Sequence, residues 1–254
     1  MLRITIIGTG NVAWHLARGI KASIELELVE VIGRSPDKPD QFVDFQYSTT
    51  LFKRKNTDII LICLPDEVLG TYTKKLIDSD ELIVHTSGST PLSILNKINN
   101  YGVLYPLQTL TKERKITLDE IPFLIEANKP YNLNLLYKLA RDLSKTVLKM
   151  NSEQRAQLHF AAVMTNNFSN HLLYLTQEYC KRYELPFDLL KPLVSETTNK
   201  AFDIGPYQAQ TGPARRGDYK TLKKQLSKID YSFLKKIYKN LTDSILNTYG
   251  RKKL

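Results

Sequence analysis

The sequence predicts an α/β domain with a doubly wound parallel sheet, followed by an all-helical C-terminal domain. Short apolar runs alternate with helix-like stretches through the first half of the chain, and a glycine-rich turn directly follows the first run. No further strand pattern is convincing after about Met150. We therefore expect two domains, at residues 1–150 and 151–254.

The predicted strands are short, and several are continuously apolar, as in Ile59–Cys63. Such runs are typical of strands that are buried on both faces of a parallel sheet. The strands are predicted at Arg3–Ile7, Glu27–Ile32, Asp58–Cys63, Leu82–His85, Gly102–Tyr105, Pro122–Glu126 and Thr146–Lys149. Helices between them are predicted at Asn11–Lys21, Glu67–Leu76 and Leu133–Leu143.

The second half of the chain predicts helices joined by one long loop. Ser152 is a suitable N-cap for a helix that runs to about Arg182. Further helices are predicted at Phe187–Phe202 and Tyr231–Asn247, and the Gly- and Pro-rich stretch Asp203–Gly217 is predicted to be a loop.

The composition is that of an ordinary globular protein, with 42% apolar and 24% charged residues. No run of about 18 apolar residues is present, so we expect no membrane span. The N-terminal run shows no signal-peptide pattern, because it leads straight into the glycine turn. Cys63 and Cys180 have neither disulfide-framework nor metal-ligand spacing, and we expect a cytoplasmic protein without a metal site.

The net charge of +10 is concentrated at the C-terminus, since residues 219–254 carry ten basic and two acidic side chains. Phe233, Ile237, Leu241 and Ile245 recur there at four-residue steps, which predicts an apolar helix face with the lysines on its solvated side. Nucleic-acid binding rests on the charge alone, because the sequence has no recognition motif for it.

The turn Gly8–Ala13 follows the first strand and opens a helix, which is the context of the dinucleotide-binding fingerprint G-x-G-x-x-A. Gly8 would allow the tight turn, and Gly10 would let a pyrophosphate approach the backbone. The free N–H groups at the helix start, at Asn11 and Val12, would then face the phosphates. The alternative is a Rossmann-shaped fold that binds no nucleotide.

The second strand ends at Arg34 and Ser35, where an NAD-binding domain would usually place an acidic residue for the ribose diol. A guanidinium suits a 2′-phosphate through its charge and its forked donors, so we favour NADP over NAD. The alternative is an exposed arginine at a strand end.

Two further strand ends carry candidate site residues, because ligands of open α/β sheets bind beyond the carboxyl ends of the strands. We expect the cofactor to contact Leu64, Pro65, Asp66 and His85. We expect the substrate to contact Ser87, as a candidate catalytic residue, and Gly88.

Each of these strand ends has a purely structural alternative. Ser89 or Thr90 before Pro91 is suitable helix-capping chemistry. His85 is either a proton donor or a buried structural histidine. The same choice between pocket lining and structure applies to Tyr105–Thr109.

On the predicted long helix, His159, Val163, Asn166 and Asn170 are spaced by four, three and four residues, so a straight α-helix would present them on one face. This polar stripe could face a ligand cleft or form a hydrogen-bonded seam between helices.

The stretch Thr211–Asp218 places Arg215 and Arg216 between glycines. These arginines could bind an anionic substrate, with Asp218 orienting one of them. The alternative is a helix-capping loop with solvated arginines.

Taken together, these motifs resemble a family that joins a Rossmann-like NADP-binding domain to a helical domain of unknown function, and whose members are labelled NADP oxidoreductases. The motifs span nearly the whole chain: Gly8–Ala13, His85–Ser89, Tyr105–Thr109, Asn166–Phe168 with His159 upstream, and Thr211–Asp218. More distantly, the chain resembles pyrroline-5-carboxylate reductase and the β-hydroxyacid dehydrogenases of the 6-phosphogluconate dehydrogenase-like superfamily.

The resemblance implies hydride transfer in a cleft between the domains and a homodimer built through the helices. The β-hydroxyacid dehydrogenases place a catalytic lysine where this chain has Val163. His159 is therefore our candidate acid or base, and Asn166 our candidate for binding the substrate oxygen. We expect an NADP-dependent oxidoreductase of a small anionic carbonyl, imine or alcohol compound, or else a non-catalytic NADP(H)-binding or redox-sensing protein.

Overall fold

The computed structural model describes residues 1–50 and 56–252. Two compact units divide the chain, at residues 1–167 and 168–254, and each is described by itself.

The described part of the first unit forms an eight-stranded sheet in the order β3-β2-β1-β4-β5-β6-β7-β8. Neighbouring strands are parallel except β6 and β7, which are antiparallel. The strands are β1 (Leu2–Ile7), β2 (Leu26–Ile32), β3 (Tyr47–Ser48), β4 (Ile59–Ile62), β5 (Leu82–His85), β6 (Tyr101–Pro106), β7 (Phe123–Ala127) and β8 (Val147–Lys149). The first six strands have the doubly wound order, and the predicted fold class is confirmed.

The sheet is buried on both faces, as the continuously apolar strands predict. In β4, Ile59 and Leu61 belong to one apolar cluster and Ile60 and Ile62 to another, because successive side chains of a strand point to opposite faces. The helices α1 (Asn11–Ala22) and α3 (Pro130–Leu143) contribute residues to the first cluster. The helix α2 (Asp66–Thr73) and the following 3₁₀ turns contribute to the second.

The N-cap of the helix α4 (Ser152–Ala162) lies one residue before the predicted one. Asn151 is the N-cap and forms a capping box with Gln154, so the assignment of Ser152 was wrong. The Ser152 hydroxyl is used elsewhere, donating to Glu126 and accepting from the Leu92 N–H. The structural alternative of a helix cap at Ser89 or Thr90 is also wrong, because the short 3₁₀ helix that follows has Pro91 at its N-cap and no side-chain cap.

The second unit is helical, and no strand follows β8 in the residues that the structure describes. Its helices are α5 (Phe168–Arg182), α6 (Lys191–Ile204), α7 (Pro206–Ala209), α8 (Pro213–Arg216), α9 (Tyr219–Ser227) and α10 (Ser232–Thr248). The predicted loop 203–217 therefore contains two short helices, and α9 was not predicted. No helix among the described residues is long and apolar enough to cross a membrane.

The predicted apolar stripe of the last helix is only partly correct. Phe233 and Leu241 are 53% and 47% exposed, whereas Thr242 and Leu246 are buried. Leu246 packs with two residues from α8 and α9 to form a small core. The buried side of α10 is thus shifted by about one residue from the predicted one.

Candidate functional site

A cavity of about 1600 Å³ lies beyond the carboxyl ends of β1, β2 and β4. This is the point where the strand order reverses, with β2 on one side of β1 and β4 on the other, and ligands of doubly wound folds bind there. The lining residues come from these strand ends, from the stretch after β3, from α2 and from the 3₁₀ turn that follows α2: Ile7, Gly8, Thr9, Gly10, Ile32, Gly33, Arg34, Thr49, Thr50, Cys63, Leu64, Pro65, Val68, Tyr72 and Lys75.

The glycine turn has the geometry that a dinucleotide needs. Gly8 has a φ of +118°, and a Cβ there would lie 2.3 Å from the Cys63 carbonyl oxygen, so no other residue fits. A Cβ on Gly10 would meet nothing within 4 Å, so the glycine leaves room beside the backbone for a ligand. The start of α1 has no side-chain cap and no acidic residue in its first turn. Its free N–H groups and positive dipole end therefore suit a pyrophosphate.

Arg34 lies just beyond the end of β2 and lines the cavity. It is exposed, and none of the described carboxylates forms a salt bridge with it. Its guanidinium is therefore available to an anionic ligand. Ser35 does not line the cavity, and its carbonyl accepts a hydrogen bond from the Tyr47 hydroxyl at 2.6 Å.

Three lining residues in and just after α2 were not predicted from the sequence. Tyr72 and Lys75 line the cavity together with Val68, and the Lys75 ammonium lies 5.4 Å from the centre of the Tyr72 ring. The spacing of four and three residues after Val68 places all three on one helix face, and that spacing could have identified them. Lys75 adds a second positive charge to the wall that contains Arg34.

The other predicted cofactor residues divide into three groups. Leu64 and Pro65 line the cavity, whereas the structure gives no side-chain lining role to Asn11 and Val12, whose predicted role rests on their backbone N–H groups. Asp66 and His85 belong to a separate polar cluster next to the cavity.

Asp66 and the turn after β5 form that polar cluster. The Ser89 hydroxyl donates to Asp66 at 2.5 Å, and the Ser87 hydroxyl accepts from the N–H groups of Ser89 and Thr90. Partial burial raises the pKa of Asp66, but hydrogen bonds from Ser89, Ser87 and Thr90 outweigh it, so its pKa lies below the ordinary value. Asp66 therefore stays a carboxylate and fixes the turn that carries Ser87.

His85 is fully buried, and its Nδ1 accepts a hydrogen bond from the Ser87 N–H at 3.2 Å. Burial lowers the pKa of His85 to about 3, and the positive charge of Arg155 adds to this effect. A histidine with this pKa stays neutral near pH 7. This environment favours the structural interpretation of His85 over that of a proton donor.

Arg155 anchors the start of α4 to the sheet. It is fully buried and forms a salt bridge with Glu126 of β7 at 2.5 Å, and it donates to the Thr90 carbonyl at 2.7 Å. Glu126 also accepts from Ser152 at 2.7 Å. Since a buried charge is costly without a partner, this pair fixes α4 against the turn that carries Ser87.

His159 lies one turn beyond Arg155 and contacts the end of β6. Its Nδ1 is 2.9 Å from the Tyr105 hydroxyl, and the two rings meet edge to face. A Cβ on Gly88 would lie 2.6 Å from that Nδ1, so the backbone of the β5 turn also packs against the imidazole. The structure thus brings together His159, Gly88 and Ser87 of the predicted site, and adds Tyr105.

Asn166 does not lie on a continuous α-helical face with His159. Residues Val163–Asn167 are π-helical, so their hydrogen bonds run from i to i+5. The predicted single face was wrong, because it assumed 3.6 residues per turn throughout. Asn166 is exposed and lies 3.5 Å from Asn167 through their amide groups, and Asn170 is exposed on α5 of the second unit.

The arginine stretch of the second unit is largely engaged with its own surroundings. Arg215 donates to the carbonyls of Gln208 and Gln210 and lies over the Tyr249 ring. Asp218 caps α9 by accepting from the Thr221 N–H at 3.1 Å, so its carboxylate is used by the helix rather than to orient an arginine. Arg216 is exposed.

A doubly wound sheet with an open glycine turn at its switch point defines a protein with a Rossmann-type dinucleotide-binding domain. The solved structure described as putative NADP oxidoreductase BF3122 from Bacteroides fragilis is 34% identical, with a TM-score of 0.89. The match covers 97% of this chain and 98% of that chain. Residues 121–245 match the family described as Domain of unknown function (DUF2520). The chain belongs to this family of Rossmann-type proteins with a DUF2520 region.

More distant structures share the fold. Protein TM1727 from Thermotoga maritima is 19% identical with a TM-score of 0.70, covering 97% of this chain and 98% of that chain. Plasmodium falciparum pyrroline carboxylate reductase, solved with NADP bound, is 12% identical with a TM-score of 0.63, covering 98% and 97%. A comparison with curated proteins gives no match.

Proposed function

We propose that this protein is an NADP-dependent oxidoreductase that reduces or oxidises a small anionic carbonyl, imine or alcohol compound. The observation that carries the proposal is the open start of α1 beside Gly10, with Arg34 free at the end of β2. Together they provide a pyrophosphate site and a positive charge for the 2′-phosphate that distinguishes NADP from NAD. The relationship to BF3122, itself described as an NADP oxidoreductase, supports the same cofactor.

In this proposal each part of the first unit has a separate task. Gly8 and Gly10 allow the backbone to approach the pyrophosphate, and Arg34 and Lys75 contact the 2′-phosphate of the adenosine. The nicotinamide, when bound, supplies or accepts the hydride. Leu64 and Pro65 form the apolar wall of the cavity.

Polar groups near the proposed reaction centre come from the turn after β5 and from α4. Ser87 is fixed by its two backbone partners, and His159 by Tyr105 and the backbone of Gly88. Either side chain could hydrogen-bond a substrate oxygen or nitrogen. We assign the same role to Asn166, and anion binding to Arg216, with Asn170 as a further candidate contact.

One residue favours an alternative, non-catalytic function. Val163 occupies the position of the lysine that the β-hydroxyacid dehydrogenases use, and it lies at the start of the π-helical segment. A protein that binds NADP(H) without turnover, as a carrier or redox sensor, would need no group with proton-transfer chemistry at this position.

We further propose that the helical unit forms a homodimer. Several of its large apolar side chains are exposed, including Leu189 at 74%, Leu193 at 62% and Phe202 at 87%. Exposed apolar surface of this kind is typical of protein–protein interfaces. Sedimentation velocity on the wild type and on a Leu193→Glu variant tests this. A wild type that stays monomeric at high concentration contradicts the proposal.

The deciding experiment for the catalytic function is calorimetry with NADPH and NADH, followed by a panel of small oxo-acids and cyclic imines with NADPH. Binding with turnover supports the oxidoreductase. Tight binding without turnover across the panel favours the sensing protein. Absence of NADPH binding refutes both.

A further inference from the structure

The Tyr105 hydroxyl and the His159 imidazole lie within hydrogen-bond distance of each other. We propose that Tyr105 is a positioning residue, whose hydroxyl donates to Nδ1 of His159 and fixes the neutral imidazole with its proton on Nε2. The proposal rests on the oxidoreductase function and deepens it, because it names the atom through which His159 would act on a substrate.

The two ring nitrogens of His159 have different surroundings. Nδ1 lies 2.9 Å from the Tyr105 hydroxyl, which is an ordinary hydrogen-bond distance. For Nε2, the described residues offer no hydrogen-bond partner, and the side chain is only half-buried. Nδ1 is therefore occupied within the protein, and Nε2 is available to a ligand.

The direction of the hydrogen bond follows from the chemistry of the two groups. Burial raises the pKa of Tyr105, so its phenol remains protonated near pH 7 and carries one proton to donate. An imidazole nitrogen with a free lone pair is a better acceptor than a phenol oxygen. A neutral imidazole has only one N–H group. If Nδ1 accepts the hydrogen bond from Tyr105, that N–H group must be on Nε2.

Two further elements limit the movement of the His159 ring. The backbone of Gly88 packs so closely that an added Cβ would lie 2.6 Å from Nδ1 and 2.7 Å from Cζ of Tyr105. One turn earlier, Arg155 fixes α4 through its buried salt bridge with Glu126. The ring is thus positioned by β6, by the turn after β5 and by α4 itself.

With its proton on Nε2, His159 is a neutral hydrogen-bond donor. In the reduction of a carbonyl compound, it could hydrogen-bond the carbonyl oxygen and stabilise the negative charge that develops there, and solvent water would then supply the proton that completes the alcohol. This role differs from that of an acid or base and requires no ionised histidine.

Long-range ¹H–¹⁵N correlation spectra of the full-length, ¹⁵N-histidine-labelled protein at alkaline pH test the proposal. The His159 signals are identified by their loss in His159→Gln. We expect the wild type to carry its proton on Nε2, and Tyr105→Phe to shift the tautomer ratio toward Nδ1–H by roughly two- to tenfold, the effect of one ordinary hydrogen bond. Tyr238→Phe, which removes a tyrosine hydroxyl bonded to Gln225 in the second unit, should leave the ratio unchanged.

A wild-type proton on Nδ1 overturns the proposal, and this outcome does not depend on any variant being folded. An unchanged ratio in Tyr105→Phe also overturns it. NADPH binding is measured on the same samples. If NADPH does not bind, the proposed function fails, and the tautomer result still decides the role of Tyr105.

Discussion

Replacing Arg34 by glutamine should weaken the binding of NADPH and leave the binding of NADH nearly unchanged. The guanidinium lines the cavity at the end of β2, and no described carboxylate competes for it. A hydrogen bond to a charged partner contributes about 1.5–3 kcal/mol, and the exposure of Arg34 reduces this through solvent screening. We therefore expect a loss of about 1–2 kcal/mol, or a roughly 5- to 30-fold higher Kd for NADPH.

Isothermal titration calorimetry with both nucleotides, at low and at high ionic strength, measures this effect. The loss for NADPH should shrink as salt is added, because the interaction is between exposed charges. Lys75→Gln should show the same selectivity with a smaller loss, since an ammonium lacks the forked donors of a guanidinium. Arg114→Gln, an exposed arginine outside the cavity lining, serves as the control. Equal losses for NADPH and NADH, or a loss for neither, would refute the assignment of Arg34 to the 2′-phosphate.

Four further substitutions have outcomes that can be derived from the structure. Gly8→Ala should lower the free energy of unfolding by about 1–3 kcal/mol in urea titrations, because the new side chain meets the Cys63 carbonyl at a positive φ. Gly10→Ala should keep the free energy of unfolding within about 0.5 kcal/mol of the wild type but lose NADPH binding, since its Cβ enters the open space beside the turn. The reverse pattern would contradict the geometry of the turn. The wild type should lose stability as the pH falls from about 6.5 toward 3, because His85 binds a proton in the unfolded chain, whereas the buried imidazole, with its pKa of about 3, does not. The urea midpoint of His85→Gln should fall less steeply with decreasing pH than that of the wild type. An equally steep fall would contradict the neutral, buried state of His85. Asp58→Asn should be less stable than the wild type at pH 7 and equally stable at low pH. The Arg3 guanidinium lowers the pKa of folded Asp58, and the stabilisation from this ion pair is lost as the carboxylate is protonated. Thermal unfolding at both pH values measures the difference in stability, and a difference that does not change with pH would exclude the ion pair as its cause.

The sequence was most informative where one physical requirement determines the residue type. The run Ile59–Cys63 predicts a strand because only a sheet covered on both faces buries every residue of such a run. The turn at Gly8 is equally determined, because its φ and its approach to the Cys63 carbonyl exclude a side chain. The two-residue strand Tyr47–Ser48 was missed because it is too short to show a period.

Features that depend on tertiary partners were predicted less well. Asn151 and Ser152 are both good N-cap residues, and Ser152 is removed from that role by its bonds to Glu126 and to the Leu92 N–H. The π-helical turn after Ala162 has no simple sequence period, so the proposed single face of His159 and Asn166 could not have been tested without coordinates. The spacing of Val68, Tyr72 and Lys75 could have grouped them on one helix face, but the cavity that this face lines depends on tertiary packing.

The antiparallel register of β6 and β7 relates the contact that Arg155 makes to the contact that His159 makes. The register pairs Glu126 of β7 with Val103 of β6, which lies two residues before Tyr105. Arg155 contacts Glu126 and His159 contacts Tyr105, so the two contacts are two residues apart along β6. Four residues of an α-helix span about 6 Å and two residues of a strand span about 6.7 Å, so the distance from Arg155 to His159 along α4 nearly matches the distance between their contacts along β6. A one-residue insertion between Arg155 and His159 would rotate the imidazole by about 100° away from Tyr105. The length of this segment is therefore under tighter constraint than the identity of its exposed residues.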